Sequence, residues 1–139
     1  RRLGGEPRIG AVLEVLEALK KSHPIDPKRV YVTGQSMGGF GSFGAIAESP
    51  TTFAAAMPVC GGWNPEDAAK IKNVPLWVFH GDADRVVPVE RSRAMVEAIK
   101  QAGGEVKYTE YPGVAHNSWS KTYASPATWK WLFDQKRSE

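Results

Sequence analysis

The sequence predicts an α/β fold, a mostly parallel sheet covered by helices on both faces. Three observations carry that prediction. Helical and strand-like segments alternate along the chain. Two of the strand-like runs, 53–60 and 74–80, are apolar without polar alternation, as strands buried on both faces are. The helix after the first strand is loaded with glycine (Gly38, Gly39, Gly41, Gly44), at about 1 kcal/mol each against alanine, which suits close packing on a sheet.

Taken in order, Ile9, Val12, Leu13, Leu16 and Leu19 recur at helical spacing, with Pro7 in the first turn and Pro24 forbidding continuation, so a helix is expected over 7–22. Asp26-Pro27-Lys28-Arg29 reads as a turn, and 30–33 as a short β-branched and aromatic strand stopping at Gly34. A helix follows from Met37 to Glu48, ended by Ser49-Pro50. The buried strands 53–60 and 74–80 come next, the second with Pro75 at its start, where a missing N–H is tolerated. Residues 90–102 form an amphipathic helix with Met95, Val96 and Ile99 inward, closed by Gly103-Gly104. Residues 105–111 suit a strand near a sheet edge. Ser125-Pro126 then offers an N-cap and a proline at the first helical position, opening a last helix with Trp129, Leu132 and Phe133.

At 139 residues the chain fits a single domain. Its one cysteine, Cys60, excludes an intramolecular disulfide framework and any multi-thiolate metal site. The longest apolar run, 53–60, is far shorter than the roughly 20 residues of a membrane-spanning helix. A net charge of +3 with scattered basic residues gives no stripe for nucleic acid. Neither a Walker lysine nor a metal-binding histidine motif is present, so no cofactor and no metal are expected.

Gly34-Gln35-Ser36-Met37-Gly38 fits G-x-S-x-G between a strand and a helix. There a sharp turn exposes the serine hydroxyl, and the helix N-terminus favours negative charge beside it. Ser36 is the candidate nucleophile and the Met37 N–H a candidate oxyanion donor, with the motif glycines sparing the backbone from collisions. Of three histidines, His23 sits at a helix end and reads as surface. His80 ends a buried strand and reads as a support for the following loop. His116, in the turn-rich Pro112-Gly113-Val114-Ala115-His116-Asn117, is the candidate base, because a loop at the sheet's C-terminal edge lets an imidazole serve as base and then acid. For the acid, Asp84 is favoured over Asp82, which is expected to cap its own turn, and over the distant Asp67.

The order Ser36, Asp84, His116 is that of the α/β-hydrolases. The segments Gly34–Gly39, His-Gly-Asp-Ala-Asp-Arg-Val-Val-Pro (80–88) and Gly-Val-Ala-His-Asn-Ser-Trp (113–119) resemble the phospholipase/carboxylesterase branch of that superfamily. Within it they are similar to bacterial esterases often labelled predicted peptidases, related to feruloyl and polyhydroxyalkanoate-type esterases. The resemblance extends to 108–113 and 131–137 and so covers nearly the whole chain. It implies that the position of Asp84 carries the triad acid and that the enzyme is secreted or periplasmic. It also implies a fold of about eight strands, of which this sequence supplies what look like the last four. An upstream half pairing along 30–33 and carrying the second oxyanion donor is therefore expected; Arg1, in place of Met, fits the same expectation.

Trp63, after Cys60-Gly61-Gly62, and Trp119, three residues beyond His116, are candidate pocket walls with loop packing as the alternative; Gln35, beside the nucleophile, joins them as a substrate-contact candidate. Trp77, Trp129 and Trp131 read as packing residues and Cys60 as a small buried hydrophobe. The function expected is a serine carboxylesterase working through an acyl-enzyme on a small-molecule or polymer-linked ester. Its alternatives are a serine peptidase of the same fold and a catalytically silent binding module.

Overall fold

The computed structural model describes residues 8–138. Four strands, β1 (Tyr31–Gln35), β2 (Ala55–Val59), β3 (Trp77–Gly81) and β4 (Lys107–Tyr111), form one sheet in the order β1-β2-β3-β4 with every pairing parallel. Six helices accompany them: α1 (Ile9–Ser22), α2 (Met37–Glu48), α3 (Ala68–Ile71), α4 (Glu90–Gln101), α5 (Trp119–Ala124) and α6 (Pro126–Asp134). The α/β architecture is as the sequence predicts. Among the described residues no helix is long and apolar enough to cross a membrane.

Side chains alternate across the sheet with period two, and each face has its own core. On one face Val32, Ala56, Val78 and Tyr108 meet α1 to α4, whose contributions include Phe43, Ile46, Ile71, Met95 and Ile99. On the other, Tyr31, Met57, Phe79 and Tyr111 meet α5 and α6 through Trp119, Trp129, Trp131 and Leu132. Trp77 sits in this second core, its ring 5.6 Å from that of Trp131, edge to face.

Several element boundaries differ from expectation, with identifiable causes. Pro7 lies outside the described residues, and α1 begins at Ile9. Of its apolar residues only Ile9 is buried; Val12, Val15 and Leu19 face outward. β1 passes through Gly34 to Gln35 instead of stopping there, because its ladder with β2 runs unbroken from Tyr31↔Ala55 to Gln35↔Val59. On its other side β2 touches β3 only at Val59↔Phe79 and the bridge Ala56↔Leu76. Proline explains the gap. The Ala56 and Cys60 amides donate to the Pro75 and Phe79 carbonyls, and the residue between them, Pro58, has no N–H to give. β3 accordingly starts at Trp77, later than the apolar run suggests. Residue 125 does precede α6, with proline at the first helical position, but the Ser125 side chain makes no capping hydrogen bond. The short turns Pro65–Asp67 and His116–Ser118, and α3 and α5 behind them, were not expected from the sequence; three to six residues are too few to display a period.

Candidate active site

Ser36 occupies the turn between β1 and α2 with φ 55° and ψ −117°, a region that costs a non-glycine residue about 1–3 kcal/mol. The surrounding backbone holds it there. Its N–H donates to the Val59 carbonyl at 3.0 Å and lies 3.2 Å from Cys60 Sγ, while its carbonyl accepts from Gly39 and Phe40. The first turn of α2 rests directly on the end of β2: a Cβ on Gly39 would stand 2.4 Å from the Val59 oxygen. Within the motif, a Cβ on Gly34 would strike the Gly38 carbonyl at 2.5 Å, whereas one on Gly38 would meet nothing. The collision argument therefore applies to Gly34 and to Gly39, outside the five-residue motif, and not to Gly38.

Two loops deliver the other groups, and they are stitched together. A Cβ on Gly81 would sit 2.1 Å from the Val114 carbonyl, so glycine at the end of β3 is what lets the 112–116 loop come down on it. Ala83 N–H donates to the Val114 carbonyl at 3.0 Å, Asp82 N–H to Tyr111 at 3.1 Å, and Gly113 N–H to Asp82 Oδ1 at 2.7 Å. This fixes His116 against Asp84. His116 Nδ1 lies 2.8 Å from Asp84 Oδ2, so the nitrogen facing the carboxylate carries the proton; Nε2 then accepts from Ser36 Oγ at 2.9 Å.

Asp84 is nearly sealed from solvent and its carboxylate is fully engaged. Oδ1 accepts the Val86 and Val87 amides, each at 2.9 Å, and Oδ2 takes His116 and stands 3.3 Å from His80 Nε2. Burial alone pushes its carboxyl upward, but the hydrogen bonds from His116, Val87 and Val86 together outweigh that and hold it below the usual range. The Asx turn expected of Asp82 is thus made by Asp84, while Asp82 braces the facing loop. Asp67 takes no part: it accepts from Trp63 Nε1 at 2.8 Å and pairs with Lys70. His23 is exposed at the end of α1. His80 is fully buried, with Nε2 donating to the Val87 carbonyl at 2.8 Å and Nδ1 accepting from Ser92 Oγ at 2.6 Å.

The other sequence candidates separate. Trp119 stays at the site, its ring edge-to-face with His116 at 5.4 Å. Gln35 and Met37 are both exposed beside Ser36. Met37 opens α2, so its N–H has no intrahelical acceptor. Trp63 is corrected: its ring packs over Gly44 and Ile9, two turns along α2 from Ser36, and belongs to the core. Cys60 is buried, as expected of a small hydrophobe, yet it also underlies the site. It has φ 43°, and its sulfur, an Asp84 carboxylate oxygen and a His116 nitrogen all lie within 4.8 Å of one another. Burial pushes its thiol upward, partly offset by the Ser36 N–H and the Ser118 hydroxyl. The available signal was positional, since Cys60 ends the strand next to the one that ends in Ser36's turn.

Residues 6–128 match the Dienelactone hydrolase family. Over 88% of its length the chain is 29% identical to the Arabidopsis thaliana carboxylesterase SOBER1, and over 55% it is 38% identical to the bifunctional acetylxylan esterase/xylanase XynS20E of Neocallimastix patriciarum. The crystal structure of a thermostable esterase superposes on 93% of the chain with a TM-score of 0.90 at 43% identity. The chain spans 61% of SOBER1, 11% of XynS20E and 37% of the thermostable esterase.

Proposed function

We propose that this chain, which belongs to the dienelactone hydrolase family, carries the acyl-transfer machinery of a serine carboxylesterase. The observation that carries the reading is the hydrogen-bonded series from Ser36 Oγ through His116 to Asp84, at 2.9 and 2.8 Å, with Ser36 strained at a helix N-terminus. In this reading Ser36 Oγ attacks the ester carbonyl while His116 Nε2 takes its proton. Asp84 keeps the proton of His116 on Nδ1 and stabilises the imidazolium that forms. The developing oxyanion lies towards the Met37 N–H and the start of α2. Collapse expels the alkoxide, which His116 protonates. Water, activated by the same nitrogen, then releases the acid from acyl-Ser36.

Esters suit these parts better than amides, because an alkoxide leaves more readily than an amine. Trp119 and Gln35 are the substrate contacts this reading retains. A tetrahedral oxyanion is served by two donors, and losing one typically costs about 10²–10³ in rate. We place the second on a further strand of the same fold, added beside β1, where a groove of about 290 Å³ runs from Val12 of α1 past Val32, Met37 and Ala45. Localisation outside the cytoplasm remains part of the proposal on family resemblance.

The test is turnover of p-nitrophenyl esters from acetate to laurate, with feruloyl and peptide substrates alongside. Ser36→Ala should lower ester turnover by several orders of magnitude with an unchanged circular-dichroism spectrum. A folded Ser36→Ala protein keeping a tenth of wild-type activity refutes the assignment.

A further inference from the structure

We propose that the floor of this site is also a binding site for a thiophilic divalent cation of the Zn²⁺ class, with Cys60, Asp84 and His116 as its protein ligands, and that occupancy shuts the site. Among the described residues this is the one group of three potential ligating side chains brought together, with all three atoms within 4.8 Å of one another. Bonds of 2.0–2.3 Å to a tetrahedral ion place ligand atoms about 3.3–3.8 Å apart, so closing on a cation asks the three groups to move by about 1 Å. The donor set is sulfur, nitrogen and oxygen. Sulfur selects borderline and soft ions over Mg²⁺ and Ca²⁺. Asp84 Oδ2 faces His116 Nδ1, so that nitrogen is the one that ligates, and three protein ligands leave a fourth position for water.

A second observation concerns what surrounds the sulfur. Ser118 Oγ is fully buried without a hydrogen-bond partner, and its hydroxyl acts to lower the Cys60 thiol. The Ser36 N–H, 3.2 Å away, is a second donor directed at the same atom. A neutral thiol is a weak acceptor and leaves both under-used; a thiolate takes both, which is the outer-shell support that metal ligands commonly have. On binding, the cation replaces the thiol proton, which leaves to solvent, and the proton on His116 Nδ1, which is taken up at Nε2, so that His116 no longer accepts from Ser36 Oγ. The inhibition rests on His116 being the base; the coordination does not.

The experiment titrates the reduced full chain with Co²⁺ as a spectroscopic substitute and, in parallel, measures p-nitrophenyl acetate turnover against Zn²⁺. A near-ultraviolet thiolate-to-cobalt charge-transfer band is expected in wild type and in Ser36→Ala, and is absent in Cys60→Ser. Zn²⁺ should inhibit wild type reversibly to chelator, and Cys60→Ser should need at least about tenfold more of it. If Cys60→Ser does not fold, Asp84→Asn, which retains the thiol, should bind Co²⁺ at least about tenfold more weakly. A folded wild type with no band, or equal Zn²⁺ sensitivity with and without the thiol, overturns the site. If the band appears while wild type turns over no ester, coordination stands and the catalytic reading falls.

Discussion

His80 and His116 reach the same carboxylate oxygen, Asp84 Oδ2, at 3.3 and 2.8 Å, from opposite sides of the loop that follows β3. Their surroundings differ in every other respect. The His80 side chain is wholly buried and both its nitrogens are committed, one to the Val87 carbonyl and one to Ser92 on α4. Burial pushes it below the usual imidazole range, and the hydrogen bond to Val87 and the charge of Asp84 only partly offset this. His116 is 21% exposed in its side chain, sits on a turn beyond the sheet, and spends one nitrogen on Asp84 while offering the other to Ser36. One histidine locks a carboxylate into the scaffold and the other draws on it. Carboxylate contact alone therefore does not single out the proposed base; what sets His116 apart is the second nitrogen it turns towards Ser36.

The largest expected effect breaks the pair on the open side. His116→Ala removes the proposed base from a partly exposed turn that bears little of the core. Ester turnover should fall by about 10⁴-fold or more, with a urea midpoint close to wild type. Turnover within tenfold of wild type would transfer the base role elsewhere.

Breaking the pair on the sealed side should invert that pattern. His80→Ala leaves the Val87 carbonyl without its partner, takes one of two from Ser92 Oγ and opens a buried space, a loss of about 3 kcal/mol in chemical denaturation. Where the variant is still folded it should keep turnover within about tenfold, because Asp84 retains the Val86 and Val87 amides and His116. A stable His80→Ala protein without activity would make His80 part of the chemistry.

The two aspartates of Gly81-Asp82-Ala83-Asp84 sharpen the same comparison and also mark how far the sequence could be read. The meeting of Ser36 and His116 was legible because each sits in a turn-rich segment at the sheet's C-terminal edge, and α2 because its glycines suit close packing on the sheet. Which aspartate faces which loop was settled by the stitching of 81–84 to 111–114, a tertiary fact with no local signature. The same holds for Trp63, whose loop could equally face the site or the core, and for Cys60, whose neighbours lie 24 to 58 residues away in sequence. Asp82→Ala deletes one charge-assisted hydrogen bond to the exposed Gly113 amide. We expect a stability loss of about 1 kcal/mol and a few-fold loss of turnover as the His116 loop loosens. A loss as deep as that of His116→Ala would return the acid role to Asp82.

The smallest effect lies at the β4 edge, away from the site, where a third carboxylate shows what pairing does in open water. Glu110 accepts from Arg93 Nε and Nη2 at 2.8 and 2.7 Å and from Tyr108 Oη at 2.7 Å, tying α4 to the edge strand. The bonds from Arg93, then from Tyr108, lower its carboxyl to about 2. A carboxylate depressed in the folded state contributes stability above its unfolded value of about 4.3 and loses it as pH falls towards the folded value. Because solvent screens this pair, its contribution is small. Glu110→Gln should lower the melting temperature slightly at pH 7, and the gap to wild type should narrow from about pH 5 downward and close near pH 2. It should also shrink in high salt, and ester turnover should not change. A gap independent of pH would mean that Glu110 acts by shape and neutral hydrogen bonding.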